Sequence, residues 1–262
     1  MEYDLPLKIA EFKINGFALF ENLISPNKTD ELCAAFTPLL EHVQTRETKI
    51  GQEEVGDLRT GKGRMAMTSR FNLNWPLDPP FLDPELYANP VILDFLEKYW
   101  ETENFHITCL HSNNPSPGST TQNWHRDTHL LTPGIGNPHH PHFGVKIPLV
   151  DTNEENGSIE VLPCTQYLAE ADFEDSYDEF LIRDDFDLHS RRLNMSKGTS
   201  WVQDPRTLHR GTPNTSMESR PELVICYSLS WFRINRPVEI HKESFDQLTD
   251  RGKQLFSRAK IL

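Results

Sequence analysis

Seven of the chain's eleven histidines fall between residues 106 and 142, a density that invites a metal. One segment stands apart from the others: Trp124-His125-Arg126-Asp127-Thr128-His129. On an extended strand, residues two apart face the same side, so His125 and Asp127 project to one site. If a distant histidine completes the set, the result is a 2-His-1-carboxylate face that leaves three positions of an octahedral iron open. His129 shares that parity but lies farther along. The remaining histidines carry less. His139, His140 and His142 sit in a proline-broken stretch read as an exposed loop, and His106 and His111 read as satisfied polar residues on a strand. His42, His189 and His241 belong to no recognisable motif in the sequence. An H-x-D pair alone is frequent by chance, so it needs a third ligand and something for the open positions to bind.

Both are available downstream. Gly198 to His209 reads as a strand, a turn and a returning strand that ends at a histidine. Eleven residues later Arg220 leads into the apolar run Leu223 to Trp231. An arginine at a strand start beside a metal site offers a planar fork suited to a carboxylate. Alone it reads as a surface salt bridge; with the histidine spacing it reads as functional.

These residues need a scaffold, and the chain changes character along its length to supply one. Residues 7–24 read as a short helix or strand broken by Gly16. Leu32, Ala35, Phe36, Leu39, Leu40 and Val43 recur at helical spacing after the Ser25-Pro26 cap, with Pro38 expected to kink or divide that helix. Residues 45–64 read as a polar loop. Asp83-Pro84 and Asn89-Pro90 each begin a short helical piece, and Leu93, Leu96 and Trp100 form a stripe on the second. After residue 104, short β-branched or aromatic runs follow: 105–110, 143–150, 158–162, 199–202 and 223–231. Turn residues separate them. Helices first and strands afterwards indicate an α+β protein, with helices outside a β-sandwich or barrel.

Composition narrows the partners. The 262 residues include 39 acidic and 26 basic side chains, for a net charge of −13, and are 37% hydrophobic. That is an ordinary folded core, and its acidity disfavours nucleic acid and anionic membrane surfaces. No stretch approaches the roughly 20 apolar residues of a spanning helix. The opening residues lack a secretory pattern. Cys33, Cys109, Cys164 and Cys226 form no C-x-x-C pair, which disfavours thiolate zinc and a disulfide scaffold. Four free thiols suit a cytoplasmic protein, and each is read as a small buried residue. Residues 170–187 hold nine acidic side chains against one arginine, so this one segment carries most of the net charge. Aromatics interleave there, and it reads as a solvated face or a lid.

The ordered motifs resemble the phytanoyl-CoA dioxygenase family of iron(II)- and 2-oxoglutarate-dependent oxygenases, over about Phe12 to Trp231. Phe12 to Phe20 with the Ser25-Pro26 helix looks like the family's N-terminal element. Trp124-His125-Arg126-Asp127 looks like its proximal metal motif, and Asn153 to Pro163 is similar to its connecting turn and strand. His209-Arg210-Gly211-Thr212-Pro213-Asn214 resembles the distal histidine motif, with Arg220 at the family's spacing. The family's Pro-Gly-Ser-His is replaced by Pro163-Cys164-Thr165-Gln166.

The resemblance implies a double-stranded β-helix (jelly-roll) core flanked by N-terminal helices. Iron(II) would be held by His125, Asp127 and His209, and 2-oxoglutarate by Arg220 at its distal carboxylate. Gln122 is a candidate for the oxo-acid end. One dioxygenase domain would span 1–262: a helical part over about 1–104, the β-helix core over about 105–232, and an extension over 233–262. With O2, the cosubstrate would yield succinate and carbon dioxide while an unactivated C–H bond of a small molecule is hydroxylated. Asp127 favours hydroxylation over halogenation, since halogenating relatives have a small residue there; desaturation, ring closure or epoxidation stay open. For substrate contacts, residues 65–72 and Trp75 are candidates, with Arg70 toward an acidic group; ordinary packing is at least an equal reading of the same residues. A cupin-like metal hydrolase or isomerase is the competing enzyme class. A non-catalytic binding protein on the same fold is the competing non-enzyme, and oligomeric state is not readable.

Overall fold

Asp4 accepts a hydrogen bond from Leu7 N at 3.0 Å, and Pro6 occupies the first turn, so α1 (Leu5–Asn15) starts two residues before the expected stretch. Gly16 ends it at φ 80°, left-handed backbone that suits glycine. The chain then enters β1 (Phe17–Phe20). The computed structural model from which these elements are taken describes residues 3–50, 69–128, 140–168, 189–233 and 237–262, and side chains at 45–50 lie outside the description.

α2 (Pro26–Ile50) is capped by Ser25, whose Oγ accepts from Lys28 N at 3.2 Å. It passes through Pro38 without dividing and continues into the stretch expected to be a loop. Proline removes one ladder bond, and the burial of Leu32, Phe36 and Leu40 along one stripe outweighs that loss. β2 (Arg70–Phe71) follows. The two short helices appear where expected, as α3 (Pro84–Tyr87) and α4 (Pro90–Trp100), capped by the side chains of Asp83 and Asn89.

The strands are β3 (Phe105–Pro115), β4 (His142–Pro148), β5 (Glu160–Val161), β6 (Arg191–Arg192), β7 (Ser200–Gln203), β8 (His209–Arg210) and β9 (Glu222–Leu229). β10 (Glu239–Ile240), α5 (Lys242–Gln247), α6 (Asp250–Leu255) and β11 (Lys260–Ile261) complete the chain. A six-stranded sheet runs β1-β7-β4-β9-β3-β2, and a three-stranded sheet runs β6-β5-β8. Phe17 and Trp201 of the first pack with Val161, Leu193 and Met195 beside the second, closing the double-stranded β-helix of an α+β protein.

Strand alternation separates two environments. Val145, Ile147, Leu223, Ile225 and Tyr227 join Phe12, Phe36 and Phe95 in the large core under the helices. The intervening positions, among them Lys146 and Cys226, turn the other way, toward the second sheet. Leu248, Leu255 and Phe256 of the C-terminal segment belong to the same large core. Among the described residues no helix is long and apolar enough to cross a membrane.

Several expectations change. Trp75 takes the packing alternative: it is buried and donates to His111 O at 3.0 Å. His140 and His142 are buried, not in an exposed loop: His142 opens β4 and its Nδ1 lies 2.7 Å from Ser228 Oγ. His106 is buried with its ring bonded to the Ser228 backbone and Nδ1 unpartnered, so it is only partly satisfied. Cys164 is exposed rather than a buried apolar residue. His129, His139, residues 65–68 and the acidic segment 170–187 lie outside the described residues.

Candidate metal centre

The turn between β7 and β8 is built from the N-terminal element outward. Gly16 O accepts from Asp204 N at 2.8 Å and Thr207 Oγ1 at 3.1 Å. Asp204 and Arg206 form a buried ion pair at 2.6 Å that rigidifies the same turn. His209 follows at the start of β8. It exchanges both backbone hydrogen bonds with His125, at 3.0 and 3.1 Å, across an isolated antiparallel bridge. Asp127 N then bonds to Pro205 O at 2.9 Å.

Residues 124–128 are therefore not a regular strand, yet the parity that the sequence implies holds. Arg126 turns away and donates to Thr165 O and Leu168 O at 3.0 and 2.9 Å. His125 and Asp127 face His209 instead. One ligand atom from each of the three lies within 4.8 Å of the others. His209 Nε2 is 3.6 Å from Asp127 Oδ1, and the two imidazole centroids are 4.4 Å apart.

The imidazoles are oriented from behind. His125 Nδ1 lies 2.9 Å from Asn123 O, and His209 Nδ1 lies 2.9 Å from Thr207 O. Protons on both Nδ1 atoms satisfy these carbonyls and leave each Nε2 lone pair for a metal. The Gln203 amide nitrogen also sits 2.9 Å from His209 Nδ1, with its buried Oε1 unpartnered. Turning that amide end for end makes both groups consistent with the same tautomer. The donor set of two neutral nitrogens and one carboxylate oxygen fits a non-haem iron.

Electrostatics agree. Burial, then repulsion from His209, pushes the His125 pKa down to about 3, so the ring is neutral at ordinary pH. Desolvation pushes the Asp127 carboxyl up, but His209, Lys146 and His125 together hold it well below the usual carboxylate range. Lys146 Nζ lies 4.0 Å from Asp127 Oδ2 and 4.5 Å from the Trp201 ring centroid, almost wholly buried.

A second cluster is cationic. Arg220 is buried, its Nε has no hydrogen-bond partner, and its Nη1 is 3.7 Å from Glu222 Oε1. Glu222 is already engaged by Trp201 Nε1 at 3.1 Å. Burial and the charge of Arg220 bring the Arg70 pKa down to about 10, so the two guanidiniums feel each other. Arg70 is anchored by Thr120 O at 3.0 Å and by Thr212 O. Gln122 Oε1 accepts from Gly211 N at 2.9 Å, and a Cβ on Gly211 would collide with both Arg70 and Gln122. Buried Arg220, loosely paired with Glu222, and half-buried Arg70 beside it leave positive charge for an anion.

Spacing alone misses Lys146, Gln203 and Glu222. The signal for Lys146 is a lone lysine inside an otherwise apolar strand; Gln203 and Glu222 sit at strand ends that read as ordinary polar caps.

Residues 12–221 match the phytanoyl-CoA dioxygenase (PhyH) family. Among solved structures, the chain is similar to the epimerase SnoN from nogalamycin biosynthesis in complex with Fe3+, alpha ketoglutarate and nogalamycin RO. That match has TM-score 0.62 and 17% identity, over 86% of this chain and 83% of that one. It is also similar to AviO1 from Streptomyces viridochromogenes Tue57, with TM-score 0.58 and 20% identity over 87% and 96%. The alpha-ketoglutarate-dependent carbocyclase SnoK matches with TM-score 0.60 and 15% identity over 85% and 83%. The chain belongs to the phytanoyl-CoA dioxygenase family and is a non-haem iron enzyme that uses 2-oxoglutarate and O2.

Proposed function

We propose that this enzyme oxidises an unactivated C–H bond of a small-molecule metabolite, with hydroxylation as the outcome and succinate and carbon dioxide as coproducts. His125, Asp127 and His209 hold the iron, which, with 2-oxoglutarate and O2 bound, supplies the oxidising power that side chains lack. The observation that carries this reading is the convergence of two Nε2 lone pairs and the Asp127 carboxylate within 4.8 Å. Asp127 fills the place that a halide would need, and Lys146 holds its second oxygen. Arg220, with its unpartnered Nε, takes the distal carboxylate of the cosubstrate, and Gln122 orients the oxo-acid end. Buried walls such as Trp201 exclude water from the reacting groups.

In this reading residues 1–262 act as one catalytic unit in a reducing cytoplasm. Ring closure or epimerisation at the same centre is the second reading, favoured by the carbocyclase and the epimerase among its fold relatives. Succinate release from 2-oxoglutarate is the test. It should require added iron(II) and fall by more than about a hundredfold in Asp127→Ala, beyond what losing an outer partner of a metal ligand costs. Undiminished succinate formation in that variant would place the centre elsewhere.

A further inference from the structure

Cys109 and Cys226 are far apart in sequence, and the register of β3 against β9 makes them direct partners. A bulge does this. Ile107 opposes Tyr227, so an unbroken antiparallel ladder would put Thr108 opposite Cys226. The register instead slips between Ile107 and Cys109, which brings the two cysteines face to face. His111, two residues along β3, shares the face of Cys109. Its Nδ1 lies 3.3 Å from Cys109 Sγ, and one donor atom from each of Cys109, His111 and Cys226 lies within 4.8 Å of the others. Neither cysteine is in a disulfide; Cys226 is buried, while Cys109 and His111 are partly open, which leaves a way in.

We propose that Cys109, His111 and Cys226 form a second metal site that takes a borderline or soft divalent cation, zinc in the first instance. Two thiolates and an imidazole are the donors zinc prefers, and thiolate softness separates this site from the nitrogen and oxygen set of the iron centre. The step balances simply: one dication binds, both thiols release their protons, the imidazole binds as its neutral form, and the product is uncharged. Three protein ligands leave the fourth tetrahedral position to water or to a ligand donor atom. Cys226 lies opposite Gly144 on β4, two residues from Lys146, whose Nζ is 4.0 Å from Asp127 Oδ2, so the site neighbours the iron centre. An occupant there is expected to suppress turnover. Only that expected effect rests on the oxygenase reading; the site itself stands on its own residues.

Cobalt(II) reports thiolate ligation through an intense near-ultraviolet charge-transfer band that nitrogen and oxygen ligands do not produce. Anaerobic titration of the full, reduced chain should show two equivalents of cobalt, one of them carrying that band and losing it to added zinc. The double variant Cys109→Ser, Cys226→Ser should bind one equivalent without the band. It should still develop the visible band of an iron–2-oxoglutarate complex. Absence of a thiolate band in the reduced wild-type chain, or its survival in the double variant, overturns the proposal. If the double variant does not fold, alkylation of the wild type decides the matter. Zinc should slow modification of Cys109 and Cys226 by about tenfold or more, since the captured thiolate is no longer free to react. Equal rates with and without zinc overturn the proposal. A wild-type thiolate–cobalt band together with no iron–2-oxoglutarate band would count against the oxygenase reading and leave this site standing.

Discussion

Arg220 is the residue whose job is easiest to isolate, because it is buried, charged and incompletely partnered. Truncating one member of a buried hydrogen-bonded charge pair costs about 2–5 kcal/mol, or roughly 30- to several-thousand-fold in affinity. Arg220→Ala should therefore raise the 2-oxoglutarate Kd by at least the lower figure and leave iron(II) affinity within about threefold. Parallel titrations by calorimetry separate the two; an equal loss of both would show that Arg220 supports the fold rather than the cosubstrate. The candidate residues His125, Asp127, His209 and Arg220 were singled out by the sequence because their types are chemically scarce and their order is fixed. Lys146 and Gln203 were not, since each acts through a partner that only strand pairing supplies. The cysteine pair was hidden for a stronger reason: a one-residue bulge, invisible in composition, decides which side chains meet. The absence of a C-x-x-C motif was a sound reading of local spacing and says nothing of cross-strand neighbours.

At the scale of elements, the starts of α2, α3 and α4 were readable from their caps, and the strand positions from β-branched and aromatic runs. Lengths were not: α2 outran its polar tail, and Pro38 proved too weak a signal against a buried stripe. The segment that replaces the family's Pro-Gly-Ser-His carries its own trace of the change. Cys164 holds φ 68°, left-handed backbone that a glycine would adopt without cost, and Gln166 bonds back to Lys13 O and Ile14 O. Gly16 is the junction on which these elements lean. A Cβ there would stand 2.0 Å from Thr207 Oγ1 and 2.8 Å from Gln166 Oε1, and φ is 80°. Gly16→Ala should destabilise by about 2–4 kcal/mol, from left-handed backbone strain and overpacking together. Thermal unfolding should show a fall in Tm of several degrees. Iron affinity should fall too, because Thr207 O orients His209. An unchanged Tm would mean that the turn is not held as described.

Across the whole molecule, buried neutral histidines couple stability to pH. Burial lowers the pKa of His142 to about 3, with repulsion from His140 next in importance. Burial also lowers that of His106 to about 4, with Arg258 and Arg233 adding repulsion. Unfolded, both return to about 6.5, so the unfolded chain binds more protons throughout that window. Stability is complete above about pH 6.5 and declines as pH falls toward 4, by up to about 1.4 kcal/mol per pH unit for each histidine. Urea midpoints of the metal-free protein between pH 7 and 4 should drop accordingly, and His142→Asn should make the decline shallower. A flat profile would contradict the burial of these rings as neutral groups.

The claim on which everything else depends is that iron and 2-oxoglutarate meet at His125, Asp127, His209 and Arg220. Anaerobic titration of the purified chain with iron(II) and then 2-oxoglutarate tests it directly, by visible absorption. A metal-to-cosubstrate charge-transfer band should grow in to one equivalent, and should fail to form in His209→Ala. No band in the wild-type chain at saturating iron and 2-oxoglutarate, with no succinate on admitting oxygen, would contradict it.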